Sequence, residues 1–155
     1  MKKILMANRF LTTILAICLL LYCLPTADAK PLPQPMPPTG SCGPNAVYEL
    51  KDGVLTVSGT GSIVMQVWPN GVSSLVIEDG ITAISEGRAP ASLAKVSIPD
   101  SVTYICASFF DGSKWLKDQT DEFVIVGDHI LVGYNGPGGA VTIPDTVRSI
   151  CGALF

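Results

Sequence analysis

A mainly β solenoid of about four short right-handed coils, preceded by a β-hairpin cap, is the fold class the sequence predicts. One observation is a repeated frame. Val96-Ser97-Ile98-Pro99-Asp100-Ser101-Val102-Thr103-Tyr104-Ile105-Cys106 returns as Val141-Thr142-Ile143-Pro144-Asp145-Thr146-Val147-Arg148-Ser149-Ile150-Cys151, and Leu75-Val76-Ile77-Glu78-Asp79-Gly80-Ile81-Thr82-Ala83-Ile84-Ser85 is an earlier copy. The second observation is an Asp-Gly turn ahead of the repeats, and the third is that one copy is too small to stay ordered alone.

Each copy places apolar residues on one side of a strand, then a corner, then a second short strand. A degenerate copy reads Val124-Ile125-Val126-Gly127-Asp128-His129-Ile130, so the strands start at 75, 96, 124 and 141. The long middle interval is explained by an insertion after Leu116, within residues 117–122, and such insertions map to loops on one face of a stack. Ordering the backbone of one unit costs about 1 to 2 kcal/mol per residue. A single apolar face cannot offset that, whereas stacked copies join their faces into one core. Pro99 and Pro144 stand where the chain leaves a strand and a missing N–H is tolerated, and the aspartate after each favours a turn.

Ahead of the repeats, Tyr48-Glu49-Leu50 and Val54-Leu55-Thr56-Val57-Ser58 alternate apolar and polar residues around Lys51-Asp52-Gly53. That pattern predicts a hairpin, and Gly59-Thr60-Gly61 is expected to end its second strand. Residues 41–73 are therefore read as a cap that hides the backbone edge of the solenoid, which fills residues 74–155.

The N-terminus is read separately. Lys2, Lys3 and Arg9 precede an uncharged apolar run over residues 10–24, and Ala27-Asp28-Ala29 offers the small-x-small pattern of signal cleavage. Residues 1–29 are expected to be a removed signal peptide, since the run is short for a span of about 20 residues. Tyr22 before Cys23 argues against lipidation at that cysteine. Residues 30–40 hold Pro31, Pro33, Pro35, Pro37 and Pro38, which block helix and favour an extended linker. Residues 30–155 carry seven basic against twelve acidic residues. That balance provides no counterion-release drive toward nucleic acid or anionic lipid, so neither nucleic acid nor membrane insertion is expected after cleavage.

No catalytic, metal or cofactor set is predicted. Cys42, Cys106 and Cys151 remain as an odd, widely spaced group, and His129 is the lone histidine in the chain, so a zinc site lacks ligands. Cys106 and Cys151, in copies two coils apart, are expected at about twice the 4.8 Å strand spacing and therefore unbonded. Asp128-His129 could be assembled with a distant Ser or Cys into a triad, but it falls at a repeat corner. Asp121-Glu122 lies in the insertion and reads as loop charge. Gly136-Pro137-Gly138-Gly139 leads toward a strand, not a helix, and reads as a hairpin turn instead of a phosphate loop.

The frame V-x-I-P-D-x-V-x-x-I, joined to Phe110-Asp111-Gly112-Ser113-Lys114-Trp115-Leu116, resembles the BspA-like leucine-rich repeats of exported bacterial proteins. Ser41-Cys42-Gly43, together with Gly53-Val54-Leu55-Thr56-Val57-Ser58-Gly59-Thr60-Gly61, looks like the segment that precedes the repeats in many members. Trp115-Leu116-Lys117, leading to Val126-Gly127-Asp128, looks like their longer repeat variant. The resemblance spans about residues 41–155. It implies an α/β solenoid of the leucine-rich-repeat type and a role in adhesion or ligand binding, not enzymatic activity. Departures are Ser113 in place of the usual Cys, and Arg88-Ala89-Pro90-Ala91 where an aromatic and a Gly belong.

The expected function is thus a secreted or cell-surface binding module for an extracellular protein or glycan. The alternatives are a truncated accessory region of a larger exported enzyme or a non-functional fragment. Because aromatics are enriched at interface hot spots, Tyr104, Trp68 and Tyr134 are the candidate ligand-binding residues, while Phe110 and Trp115 occupy frame positions and are assigned to the core. The frame stops at Ile150-Cys151-Gly152-Ala153-Leu154-Phe155 without a polar cap, so the array reads as truncated, with self-association through its open edge as a further expectation.

Overall fold

The computed structural model describes residues 36–152 and 154. The expected signal peptide and the first part of the expected linker lie outside the described residues. Within them the chain is a β-solenoid of about five turns. No helix among the described residues is long and apolar enough to cross a membrane.

Strands β1 (Thr39–Gly43) and β2 (Asn45–Lys51) pair antiparallel, and β2 pairs antiparallel with β3 (Val54–Met65) around the Asp52-Gly53 turn. Both turn residues take positive φ, 51° and 80°, the conformation an Asp-Gly hairpin turn requires. The predicted cap is present, and it covers the edge from which the stack grows.

The stack begins earlier than repeat counting places it. The strand expected to end at Gly59 runs on to Met65, 12 residues in all, and is itself the first coil. Its first half pairs in parallel with β4 (Ser74–Ile77), which pairs with β6 (Lys95–Ser97). Its second half pairs in parallel with β5 (Ile81–Gly87), which pairs with β7 (Tyr104–Ile105). Gly59 is the corner between the two halves, at φ 115°. A β-carbon there would lie 2.1 Å from the Asn45 carbonyl oxygen, so only glycine lets the strand bend while it stays paired to the cap.

Leu55, Leu75 and Val57, Ile77 from the first sheet, and Ile63, Ile84, Ile105 from the second, form in-register rows. All of these side chains are buried in one core. The corners between the sheets are turns closed by Val102 N–H to Pro99 O at 3.1 Å and Val147 N–H to Pro144 O at 2.9 Å. Hydroxyls link successive coils as well: Ser73, Ser92 and Ser101 donate to the carbonyls of Gly53, Val72 and Ile81 at 3.2, 2.7 and 2.9 Å.

The later copies depart from the frame. One helical turn, α1 (Lys114–Lys117), stands at the insertion. After it, β8 (Phe123–Val126) pairs antiparallel with β9 (Ile130–Tyr134) instead of entering the first sheet. Gly127 and His129, at φ 54° and 57°, reverse the chain within three residues. Gly127 could not be otherwise, since its β-carbon would meet the Val102 carbonyl at 2.7 Å. Residues 141–144 form no strand, so the Gly136-Pro137-Gly138-Gly139 segment is an open loop and not the expected hairpin turn. The final copy contributes its corner and β10 (Ser149–Ile150), parallel to β9.

Candidate binding surface

The second sheet turns its alternate residues outward. Ile63, Ile84 and Ile105 are buried, and Ser62, Ala83 and Tyr104 point away from the core, in register across β3, β5 and β7. Parallel neighbours lie about 4.8 Å apart, so these three residues form one row. Ser62 and Ala83 are short, and the Tyr104 ring beside them is 50% exposed.

Val64 follows Ser62 outward on β3 and is exposed, as is Val67 just beyond it. Five large apolar residues are exposed among those described, and Val64, Val67 and Tyr104 belong to this sheet or its immediate continuation. Polar pairs flank them: Ser62 with Ser85, and Gln66 with Glu86. The surface therefore combines an aromatic, two aliphatic side chains and a hydrogen-bonding border.

The other two aromatic candidates sit elsewhere. Trp68 is half-buried, its ring 6.1 Å from that of Phe109. It begins an aromatic chain that continues from Phe109 to Phe110 at 4.9 Å, edge to face, and from Phe110 to Trp115 at 4.7 Å. Phe110 is buried and Trp115 packs half-buried against the core, as their frame positions predict. The Trp68 indole N–H is buried without an acceptor among the described residues. Tyr134 is half-buried on β9, 5.3 Å from the Phe123 ring, with its hydroxyl donating to Pro137 O at 2.9 Å. It borders a cleft of about 270 Å³ with Gly136, Gly138, Gly139, Val141 and Leu154.

The Asp128-His129 pair is accounted for by its surroundings. The Asp128 carboxylate bonds the Arg148 guanidinium of the next coil and lies 3.4 Å from His129 Nδ1. Arg148, chiefly by this hydrogen bond, holds the Asp128 carboxyl below the usual carboxylate value. The arrangement is an exposed ion link between coils. Asp121 and Glu122 are held in their loop by Asn135, whose side chain donates to Asp121 O at 2.9 Å and whose backbone N–H donates to Glu122 O at 2.9 Å.

Ser113, the departure from the usual Cys, is fully buried and caps α1. Its hydroxyl donates to Phe110 O at 2.7 Å and accepts from Leu116 N–H at 3.2 Å. This role has a sequence signal, a serine three residues before Leu116 in a short polar stretch. The inter-coil hydroxyl links had only the recurrence of Ser and Thr at corners to announce them.

No protein-family model and no curated protein matches the chain. Among solved structures it is similar to a leucine-rich repeat protein from Eubacterium ventriosum, at 19% identity and a TM-score of 0.47, over 72% of this chain and 27% of that one. The chain therefore spans about a quarter of the length of that protein.

Proposed function

We propose that the chain is a secreted or cell-surface binding module of the BspA-like leucine-rich-repeat type, without enzymatic activity, that recognises an extracellular protein or glycan through the outer face of its second sheet. The observation that carries this reading is the exposed Tyr104 ring on the Ser62, Ala83 row, with Val64 exposed at the next outward position of β3. Export is supported by the signal-like pattern of residues 1–29. A rigid parallel stack suits such a role, because it holds side chains at fixed spacing before any partner arrives.

The test is capture of the full chain on arrays of extracellular-matrix proteins and glycans, repeated with Tyr104→Ala. The reading expects specific capture that falls at least about tenfold in the variant, the scale of an interface hot spot, with the unfolding midpoint unchanged. Capture that survives Tyr104→Ala undiminished would move the surface elsewhere, and an absence of capture from both arrays would defeat the proposal.

A further inference from the structure

Cys106 and Cys151 are neighbours, contrary to the two-coil separation that the repeat spacing predicts. Cys151 Sγ lies 3.0 Å from the Cys106 carbonyl oxygen. One residue further, a β-carbon on Gly152 would stand 3.2 Å from the Ala107 β-carbon and 3.3 Å from its α-carbon. Those contacts require adjacent backbones, a single strand spacing apart.

The physical reason is the coil between them. Residues 127–131 remain in the stack: Asp128 N–H donates to Val102 O at 2.9 Å, and Cys151 N–H donates to Leu131 O at 2.8 Å. Beyond Leu131, β9 follows β8 into the antiparallel hairpin, so the fourth coil leaves the ladder. Cys151 and Gly152, at the end of the pairing between β9 and β10, then settle on the third coil. Cys106 keeps its own place through its N–H to Ile84 O at 2.8 Å.

The geometry points to a redox-sensitive disulfide site at Cys106 and Cys151 that would staple the last coil to the third. A carbonyl oxygen is about 2.4 Å from its own α-carbon, which puts Cys151 Sγ no more than about 5.4 Å from Cys106 Cα. Neighbouring parallel strands, about 4.8 Å apart, fall within the 4.4–6.8 Å separation of α-carbons that a disulfide spans. Neither cysteine is in a disulfide in the structure; Cys106 is the more exposed of the two, and its Sγ, 3.6 Å from Gly87 O, must turn from that carbonyl to meet Cys151 Sγ.

The reaction needs an oxidant, and a small disulfide such as glutathione disulfide serves. The Cys106 thiolate attacks one of its sulfurs, the S–S bond breaks, and one glutathione leaves as thiolate. The Cys151 thiolate then attacks Cys106 Sγ and expels the second glutathione. Two protein thiols are oxidised to one disulfide, one glutathione disulfide is reduced to two thiols, and the two protein protons pass to solvent or to the departing thiolates. Burial raises both protein thiols above their usual range, so exchange is best run at about pH 8.5.

The experiment incubates the folded full chain with glutathione disulfide, alkylates the remaining thiols, and digests with trypsin without reduction. The expected product is a disulfide-linked pair of residues 96–114 with residues 149–155, lighter than the two free peptides by two hydrogens. It should persist in Cys42→Ala and vanish in Cys106→Ser and in Cys151→Ser. A parallel incubation in urea controls for random pairing, and the linked pair should be at least about tenfold more abundant from the folded chain. Stable glutathione adducts on either cysteine without the linked pair would overturn the inference. So would equal yields from folded and unfolded chain.

Discussion

The Ser101 hydroxyl donates to the carbonyl oxygen of Ile81 at 2.9 Å, joining positions one coil apart, and accepts from the Gly80 N–H at 3.3 Å. A single small side chain thereby serves two backbone groups at a corner. Ser101→Ala should cost about 1 kcal/mol, the usual net worth of such a bond, and lower the melting temperature by about 4 °C. Urea denaturation of the two proteins checks this, and unchanged midpoints would show that water replaces the hydroxyl without loss.

Gly59 and Gly138 make a paired test of backbone freedom. Gly59→Ala puts a methyl 2.1 Å from the Asn45 carbonyl at φ 115°, so the first coil must separate from its cap or bend elsewhere. The expected cost exceeds about 2 kcal/mol. At Gly138 a β-carbon meets nothing within 4 Å, and alanine there should change stability by less than about 0.5 kcal/mol. Thermal melts of both variants separate the cases.

Ser113→Ala removes the α1 cap and leaves the Leu116 N–H without its hydroxyl acceptor, while the Phe110 carbonyl keeps the Ser113 backbone N–H at 3.0 Å. A loss of about 1 to 2 kcal/mol follows from the cap alone. Fluorescence of Trp115, packed against Phe110 two residues from the cap, should also respond. An unfolding curve that overlays the parent would contradict this role.

The Asp128 and Arg148 link predicts a pH dependence of defined sign. Arg148 lowers the Asp128 carboxyl below its ordinary value of 3.8, so the folded state holds the charged form more strongly than the unfolded chain does. The contribution is fully present above 3.8 and is lost as pH falls through the lower folded value. Carboxyl chemical shifts followed through acid titration should show Asp128 titrating low in the parent chain. In Arg148→Ala its midpoint should move up toward the ordinary value.

Much of the fold is legible in the chain because the apolar frame and its corners are local signals. Pro99-Asp100 and Pro144-Asp145 both mark real turns, and Asp52-Gly53 makes the predicted hairpin. The first coil was hidden because Gly59-Thr60-Gly61 reads as a breaker, although its glycines serve a bend within a paired strand. The degenerate copy at 124 keeps apolar spacing equally suited to a coil or a hairpin, and the choice depends on Gly127 packing under Val102, a contact between distant residues. Of the aromatic candidates, Tyr104 could be placed outward because it holds a polar position of the frame. Trp68 lies outside the frame, and its contact with Phe109 depends on how the coils stack.

The hydroxyl and strand links between early coils tie residues about 20 positions apart, whichever coil they join. The entropy of closing each loop is therefore nearly the same from one coil to the next, and no step must wait for the two ends of the chain to meet. Such a molecule can wind up progressively from the Asp52-Gly53 hairpin, each finished layer serving as template for the next.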